Sequence, residues 1–146
     1  MLPQIILASS SPRRKQLLEW AELRFEILTQ PTEELILTNG SIEDAPIHIA
    51  REKALAVQQK VKREIERNVR EDAHYPILAA DTIVVLGNEI LRKPHNRMDA
   101  IEMLSKLQGK HHKVITGVVL LDKEKEITFS DTTDVEFHPL TNEQIE

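Results

Sequence analysis

An apolar segment leads directly into a helix start near the N-terminus, in the sequence IILASSSPRRK of residues 5–15. The run Ile5–Ala8 is apolar on both sides, as expected of a central strand in a sheet that is covered on both faces. Ser11 followed by Pro12 predicts a helix start, because serine caps free backbone amides and proline suits the first helical turn. A strand that leads straight into a helix is typical of an α/β fold.

The same segment predicts an anion site. The first amides of a helix have no partner within the helix, and the helix dipole favours negative charge beside them. Ser9, Ser10 and Ser11 add hydroxyl donors, and two guanidinium groups that match phosphate oxygens follow at Arg13 and Arg14. An ordinary capped helix with surface arginines is the alternative, and we favour phosphate binding over it.

The composition indicates a globular protein and excludes several kinds of function. The 146 residues are 40% hydrophobic and 29% charged, which suits one domain with a normal core. A net charge of -5 and an aromatic content of 3% argue against a nucleic-acid partner. The absence of cysteine excludes disulfides, thiolate zinc sites and a cysteine nucleophile. With no apolar run of membrane-spanning length and no signal-peptide pattern, the sequence predicts a cytoplasmic protein without a membrane partner.

Strand and helix patterns alternate along the rest of the chain. Strands are predicted over residues 5–8, 25–27, 76–86, 89–91, 111–121 and 127–137. Helices are predicted over residues 12–22, from about Asp44 through Ile65, and from the cap Asn96 to Gly109. The first helix is expected to bury Leu17, Leu18 and Ala21.

An aspartate interrupts the apolar strand PILAADTIVVL of residues 76–86. Burying a lone carboxylate costs free energy unless it is paired or binds a cation, and perturbed acids are concentrated at functional sites. We therefore expect a functional role for Asp81. The alternative is an aspartate at a strand bend, hydrogen-bonded to the local backbone through Thr82. A hairpin turn at Gly87-Asn88 should return Lys93 toward the level of Asp81.

Three further features were weighed as candidates for function. Lys53 lies near the buried stripe of the long helix, from which it could reach a phosphate. The acidic pair Glu33-Glu34 lies in a loop, where function is common, although two solvated acids are the simpler explanation. His111 and His112 cannot bind one metal together, because neighbouring strand residues face opposite sides, so the histidines are predicted to be structural or surface residues.

Five short motifs are more specific together than any one of them alone. They are SSSPRR at 9–14, EE at 33–34, REKA at 51–54, AADT at 79–82 and KP at 93–94. In this order and spacing they closely resemble the Maf family of nucleoside triphosphate pyrophosphatases. The resemblance implies a long, twisted mixed β-sheet flanked by helices, of the inosine-triphosphatase type, with a cleft between two lobes. It also implies hydrolysis of a nucleoside triphosphate to the monophosphate and pyrophosphate with a divalent cation, Mg²⁺ or Mn²⁺.

The resemblance further implies roles for single residues. Asp81 would be the proton acceptor for the attacking water, and Asp81 with Glu34 would bind the metal. The residues that would bind the substrate are Ser9, Arg13, Arg14, Lys53, Thr82 and Lys93. The combination of Arg13 and Thr82 is similar to the branch of the family that acts on dTTP and UTP.

Two other functions are compatible with the sequence. One is a nucleotide-binding regulator linked to septum formation and cell division, without useful catalysis. The other is a protein-interaction module in which Ser11-Pro12 is a phosphorylation site.

A capping box at Thr141 and Gln144 predicts a last helix, and the chain stops at Glu146 about one turn later. We therefore expect residues 1–146 to form a single Maf-like domain that lacks a C-terminal segment. The family carries a Lys-Ala-Gly run and a substrate-selecting glutamine in that segment, so a fragment without it is expected to have little activity. It is also expected to expose an apolar sheet face, which favours association either with a second copy, as a homodimer, or into aggregates.

Overall fold

The computed structural model describes residues 4–32, 41–91 and 94–145. Strands and helices alternate along these residues, as the sequence predicts. The strands are β1 (Gln4–Leu7), β2 (Arg24–Ile27), β3 (Ile77–Leu86), β4 (Glu89–Leu91), β5 (His111–Asp122) and β6 (Lys125–Glu136). The helices are α1 (Pro12–Trp20), α2 (Asp44–Glu66), α3 (Arg97–Leu107) and α4 (Asn142–Ile145). None of the described helices combines the length and the apolar character that a bilayer crossing requires.

The six strands of the described residues form one mixed sheet in the order β2-β1-β3-β5-β6, with β4 beside β3. β1 is parallel to both β2 and β3, and Ile6 lies opposite Ile77 in the register. β4 is antiparallel to β3, with Val84 opposite Leu91. Parallel neighbours need long crossover connections, and α1 and α2 occur in the two crossovers that link these strands. The predicted mixed α/β sheet with helices is confirmed, whereas the cleft between two lobes stays a prediction.

The chain divides into two compact units, Met1–Asp81 with Gly117–Ser130 and Thr82–Thr116 with Asp131–Glu146. The core of the first unit joins β1, α2, β3 and β5. Its buried residues are Ile6, Ala8, Ala50, Ala54, Val57, Ile77, Ala79, Val119 and Leu121. The stripe predicted for α2 is therefore buried at Ala50, Ala54 and Val57, as expected of residues spaced by three and four.

The second unit has its own buried residues on β3, β4, α3 and β5. They include Ile83, Val85, Leu91, Leu107 and Ile115. The predicted cap of α3 is confirmed, since the Asn96 side chain accepts a hydrogen bond from the Asp99 amide at 2.8 Å. The predicted capping box is also present, with Gln144 and Thr141 each bonding the other's backbone amide.

Helix α1 differs from its prediction. It ends at Trp20, and none of its residues is buried. Leu17 is 51% exposed and Ala21 is exposed, whereas Leu18 is half-buried. The expected inner face of Leu17, Leu18 and Ala21 is wrong, because two leucines among charged residues do not make a continuous apolar stripe.

Candidate active site

Serine hydroxyls hold the loop between β1 and α1. Ser11 has an extended backbone, and its Oγ accepts a hydrogen bond from the Arg14 amide at 3.4 Å, which caps α1. Ser9 is buried, and its Oγ accepts a hydrogen bond from the Ser11 amide at 3.2 Å. Pro12 occupies the first turn of the helix. The predicted helix start is therefore confirmed, and its N-terminus carries the partial positive charge that favours an anion.

Arg14 links this loop to the middle of β3. Its Nη1 donates to Ser9 Oγ at 3.2 Å and to the Ala80 carbonyl oxygen at 3.1 Å. Burial lowers the pKa of the Arg14 guanidinium from its ordinary value, and the charge of the nearby Asp81 carboxylate acts in the opposite direction. Arg13, the preceding residue, is exposed. The two arginines of the motif thus have different environments.

Asp81 is a buried acid with a cation beside it. Only 6% of its surface is exposed, and its Oδ1 accepts a hydrogen bond from Lys53 Nζ at 3.3 Å. Lys53 is next to the buried Ala54 on α2, so the helix that packs in the core also brings the ammonium group to β3. The pairing meets the requirement that a buried carboxylate have a partner of opposite charge.

The first unit therefore brings together four of the residues that the sequence singles out: Ser9, Arg14, Lys53 and Asp81. The group contains one carboxylate, two cationic side chains and a helix N-terminus. A carboxylate can accept a proton, and cations with helix amides can bind phosphate oxygens. The arrangement is suited to binding a phosphorylated substrate and activating a water molecule.

Thr82 follows Asp81 on β3 and belongs to the second unit, where it is exposed. Its hydroxyl shares a hydrogen bond of 2.9 Å with the hydroxyl of Thr116 on β5. The other two predicted site residues, Glu34 and Lys93, lie outside the described residues.

Sequence reasoning missed two contacts of the Asp81 site, and it also missed the partner of Thr82 in the second unit. The Lys53–Asp81 pair and the bond from Arg14 to the Ala80 carbonyl join residues far apart in the chain, and no local pattern reports such contacts. The sequence did contain a feature that could have identified Thr116. This threonine interrupts the apolar run of β5 in the same way that Asp81 interrupts that of β3.

A cavity of about 330 Å³ lies in the second unit, against α3. Ile90, Met103 and Lys106 are among the residues that line it, whereas Ser9, Arg14, Lys53 and Asp81 are not. Two acidic residues of α3, Asp99 and Glu102, also line the cavity. The backbone amide of Asp99 donates the hydrogen bond by which Asn96 caps this helix. We therefore place the candidate active site at Asp81 and not at this cavity.

A divalent cation at Asp81 would find few protein ligands in the described part of the chain. Within that part, no group of three or more metal-binding side chains is present. Mg²⁺ commonly uses one or two carboxylates, keeps several waters and takes its other ligands from substrate phosphates. The Asp81 carboxylate, the one that the described residues offer at this site, therefore fits a cation that is shared with a phosphorylated substrate.

Comparison with known families identifies the relatives of this chain. A sequence profile of the Maf-like protein family matches residues 4–146. The chain belongs to the Maf-like family. A dTTP/UTP pyrophosphatase of Bacillus mycoides (strain KBAB4) is 43% identical over 143 residues, which cover 98% of this chain and 69% of that protein. A dTTP/UTP pyrophosphatase of Bacillus cereus (strain G9842) is 43% identical over 145 residues, covering 99% and 70%.

A solved structure supports the fold of this Maf-like chain independently. The Ham1 protein of Staphylococcus aureus superposes with a TM-score of 0.50 at 13% sequence identity, over 91% of this chain and 71% of that one. At such low identity the likeness concerns the fold alone. It confirms the fold type predicted from the sequence, and the family match confirms the predicted family.

Proposed function

We propose that this Maf-like chain hydrolyses nucleoside triphosphates to the monophosphate and pyrophosphate, with dTTP and UTP as substrates. The two Bacillus relatives are named for this activity, and their identity to the chain extends over nearly all of its length. The combination of Arg13 and Thr82 supports the choice of dTTP and UTP.

The observation that carries the proposal is the buried Asp81 carboxylate, held by Lys53 at 3.3 Å. The backbone that precedes it, at Ala80, is hydrogen-bonded by Arg14, which also holds the loop at the start of α1. A carboxylate beside an anion-binding loop supplies the two kinds of group that hydrolysis of a phosphoanhydride needs. It accepts a proton while the neighbouring cations stabilise the charge on phosphate oxygens.

In the proposed reaction, Asp81 accepts a proton from a water molecule, whose oxygen forms a bond to the α-phosphorus. The bond from the α-phosphorus to the oxygen that bridges to the β-phosphorus breaks, and pyrophosphate leaves with that oxygen and its electron pair. Ser9, Arg13 and the helix N-terminus would bind phosphate oxygens, together with Lys53, Thr82 and Lys93, and Arg14 would support this phosphate-binding site.

We further propose that Asp81 and Glu34 hold a divalent cation, Mg²⁺ or Mn²⁺. When bound, the cation would neutralise charge on the phosphate oxygens and orient the triphosphate. We also propose that the chain forms a single Maf-like domain and a homodimer, and that the protein is cytoplasmic and does not bind nucleic acid.

The test is pyrophosphate release from dTTP and UTP by the wild type and by Asp81→Asn. If Asp81 accepts the proton, the variant should lose roughly 10²-fold or more of the turnover, because an amide of the same shape cannot act as a base. Asp131→Asn, an exposed aspartate of β6, is the matched control and should keep wild-type turnover. Near wild-type release by Asp81→Asn would make Asp81 a structural residue. A wild type that binds nucleotide without turnover would favour the regulator instead.

A further inference from the structure

We propose that Arg14 is a positioning residue, which orients the Ser9 hydroxyl and holds the backbone next to Asp81. This refines the phosphate-binding role that the family resemblance implies for Arg14, and it rests on the hydrolytic function proposed above. The proposal rests on the two hydrogen bonds that one guanidinium nitrogen, Arg14 Nη1, donates to Ser9 and to the Ala80 carbonyl.

The first part of the argument concerns the Ser9 hydroxyl. Its oxygen accepts hydrogen bonds from the Ser11 amide and from Arg14 Nη1, both at 3.2 Å. A hydroxyl oxygen has two lone pairs and one proton, so accepting two bonds leaves the proton for a third partner. Ser9 is thereby set as a hydrogen-bond donor at the N-terminus of α1, where an anion is favoured.

The second part concerns the strand that carries the base. The same Nη1 donates to the Ala80 carbonyl oxygen at 3.1 Å, one residue before Asp81. A guanidinium nitrogen of this kind has two N–H bonds, and here one points at Ser9 and the other at Ala80. Both N–H bonds of Nη1 are therefore donated to acceptors within the protein, and they connect the loop before α1 to β3.

The third part is the contrast with the neighbouring residue. Arg14 is partly buried, and burial lowers its pKa, whereas Arg13 is exposed. Two donors of the partly buried Arg14 are already used by Ser9 and by the Ala80 carbonyl. The exposed Arg13 is the better candidate for a direct contact with the triphosphate.

Steady-state kinetics with dTTP separate the two roles. Arg14→Lys keeps the charge but loses the planar guanidinium, whose fixed N–H directions serve both acceptors. In this variant kcat should fall roughly ten- to a hundred-fold while KM changes little. Arg13→Lys should instead raise KM and largely preserve kcat. Lys15→Gln, an exposed position on the same helix, should match the wild type. A rise in KM with an unchanged kcat in Arg14→Lys would overturn the proposal and make Arg14 a phosphate ligand.

A second pair of measurements excludes a merely structural explanation. Arg14→Gln and Ser9→Ala should each lower kcat, and the double variant should be little worse than Arg14→Gln alone, because one residue acts through the other. Independent, multiplicative losses would contradict this.

A third measurement does not depend on activity. Amide hydrogen exchange in residues 8–11 and 79–82 should be faster in Arg14→Gln than in Arg13→Gln, since the Arg14 guanidinium is hydrogen-bonded to both segments. Equal exchange in the two variants would also overturn the proposal. A wild type that releases no pyrophosphate would refute the proposed hydrolysis, while the exchange experiment would still decide the role of Arg14.

Discussion

Arg13 and Arg14 are neighbours in the sequence, yet their surroundings in the folded protein differ. Arg14 is hydrogen-bonded to Ser9 and to the Ala80 carbonyl, whereas Arg13 is exposed at the start of α1. A charge-assisted hydrogen bond to a phosphate is strong mainly when its donor faces the ligand and not another part of the protein. Of the two arginines, Arg13 is therefore the one expected to bind the triphosphate directly, and the sequence predicts the same for Lys93.

Replacing either of these cations should weaken nucleotide binding. Arg13→Ala and Lys93→Ala each remove a charge-assisted contact, which is worth about 1.5–3 kcal/mol. Titration calorimetry with dTTP should show Kd values higher by roughly ten-fold or more in both variants. Lys15→Ala, which is exposed on α1, is the control for a general loss of positive charge. Unchanged affinity in both variants would show that the triphosphate is bound elsewhere.

His112 presents a different problem at the residue scale, because it is buried with an unsatisfied atom. It is 6% exposed, its ring meets that of Phe137 edge-on at 4.9 Å, and its Nδ1 has no hydrogen-bond partner among the described residues. Burial lowers the pKa of His112 below its ordinary value. The folded protein thus favours the neutral ring, in agreement with the structural role predicted for the histidines.

The stability of the protein should consequently depend on pH through His112. The pKa of His112 is lower in the folded protein than in the unfolded chain, where it is about 6.5. The contribution of His112 to the free energy of unfolding is therefore complete above about pH 6.5. It is lost as the pH falls below that value, because the unfolded chain then binds a proton more readily than the folded protein. In His112→Leu, the loss of unfolding free energy between about pH 7.5 and 5.5 should be smaller than in the wild type. Urea unfolding at the two pH values measures this. His138→Gln, an exposed histidine, should keep the wild-type dependence, and an unchanged dependence in His112→Leu would refute the explanation.

At the scale of elements, the packing of α2 against β5 depends on a single glycine. A Cβ atom at Gly117 would lie 2.6 Å from the Pro46 carbonyl carbon and 2.8 Å from Ile47 Cα. These are backbone atoms of the first turn of α2, so they cannot move aside as the end of a flexible side chain would. This close contact between β5 and α2 matters for the candidate active site because α2 also carries Lys53.

Gly117→Ala should destabilise the protein by about 1–3 kcal/mol, the usual cost of overpacking. It should also lower the affinity for nucleotide, since α2 must shift and Lys53 with it. Thermal unfolding measures the first effect and calorimetry with dTTP the second. Gly87→Asn is the control, because Gly87 has a φ of +61° with open space around it, and asparagine tolerates that conformation. Equal melting temperatures of the two variants would contradict the proposed close contact.

At the scale of the whole molecule, a net charge of -5 opposes a highly charged anion, so binding must come from local cations and a metal. The described residues offer the metal one carboxylate at the site, that of Asp81. Metal binding should therefore depend on the nucleotide, and nucleotide binding on the metal. This reciprocity is a property of linked binding equilibria.

Thermal unfolding can test this linkage without an activity assay. With Mg²⁺ and dTTP at about 100 times Kd, binding should add about 2.7 kcal/mol of stability, or roughly 5–10 °C in Tm. Removing the cation with a chelator should abolish most of that shift, and adding Mn²⁺ should restore it. Mg²⁺ without nucleotide should have little effect. A full shift with dTTP in the presence of chelator would contradict a shared cation.

Local patterns were enough to predict most elements of this protein. The capped start of α1, the apolar stripe of α2, the caps of α3 and α4 and the mixed α/β class all depend on residues close in the chain, whose spacing reports directly on structure. The same kind of pattern failed for α1, which has a capped N-terminus but no buried residue. The family, too, could be recognised from motifs that keep their order along the chain.

The contacts that define the site were decided only by the tertiary structure. The sequence identifies Asp81 as an acid that needs a partner, but it does not say that the partner is Lys53. Likewise, it places Arg14 two residues after a proline without showing that Arg14 bonds to the Ala80 carbonyl 66 residues away. Such pairs form when α1 and α2 pack on the sheet, and their energy comes from burial and charge across distant segments. A local sequence pattern does not predict the distances between such residues, whereas the folded backbone determines them.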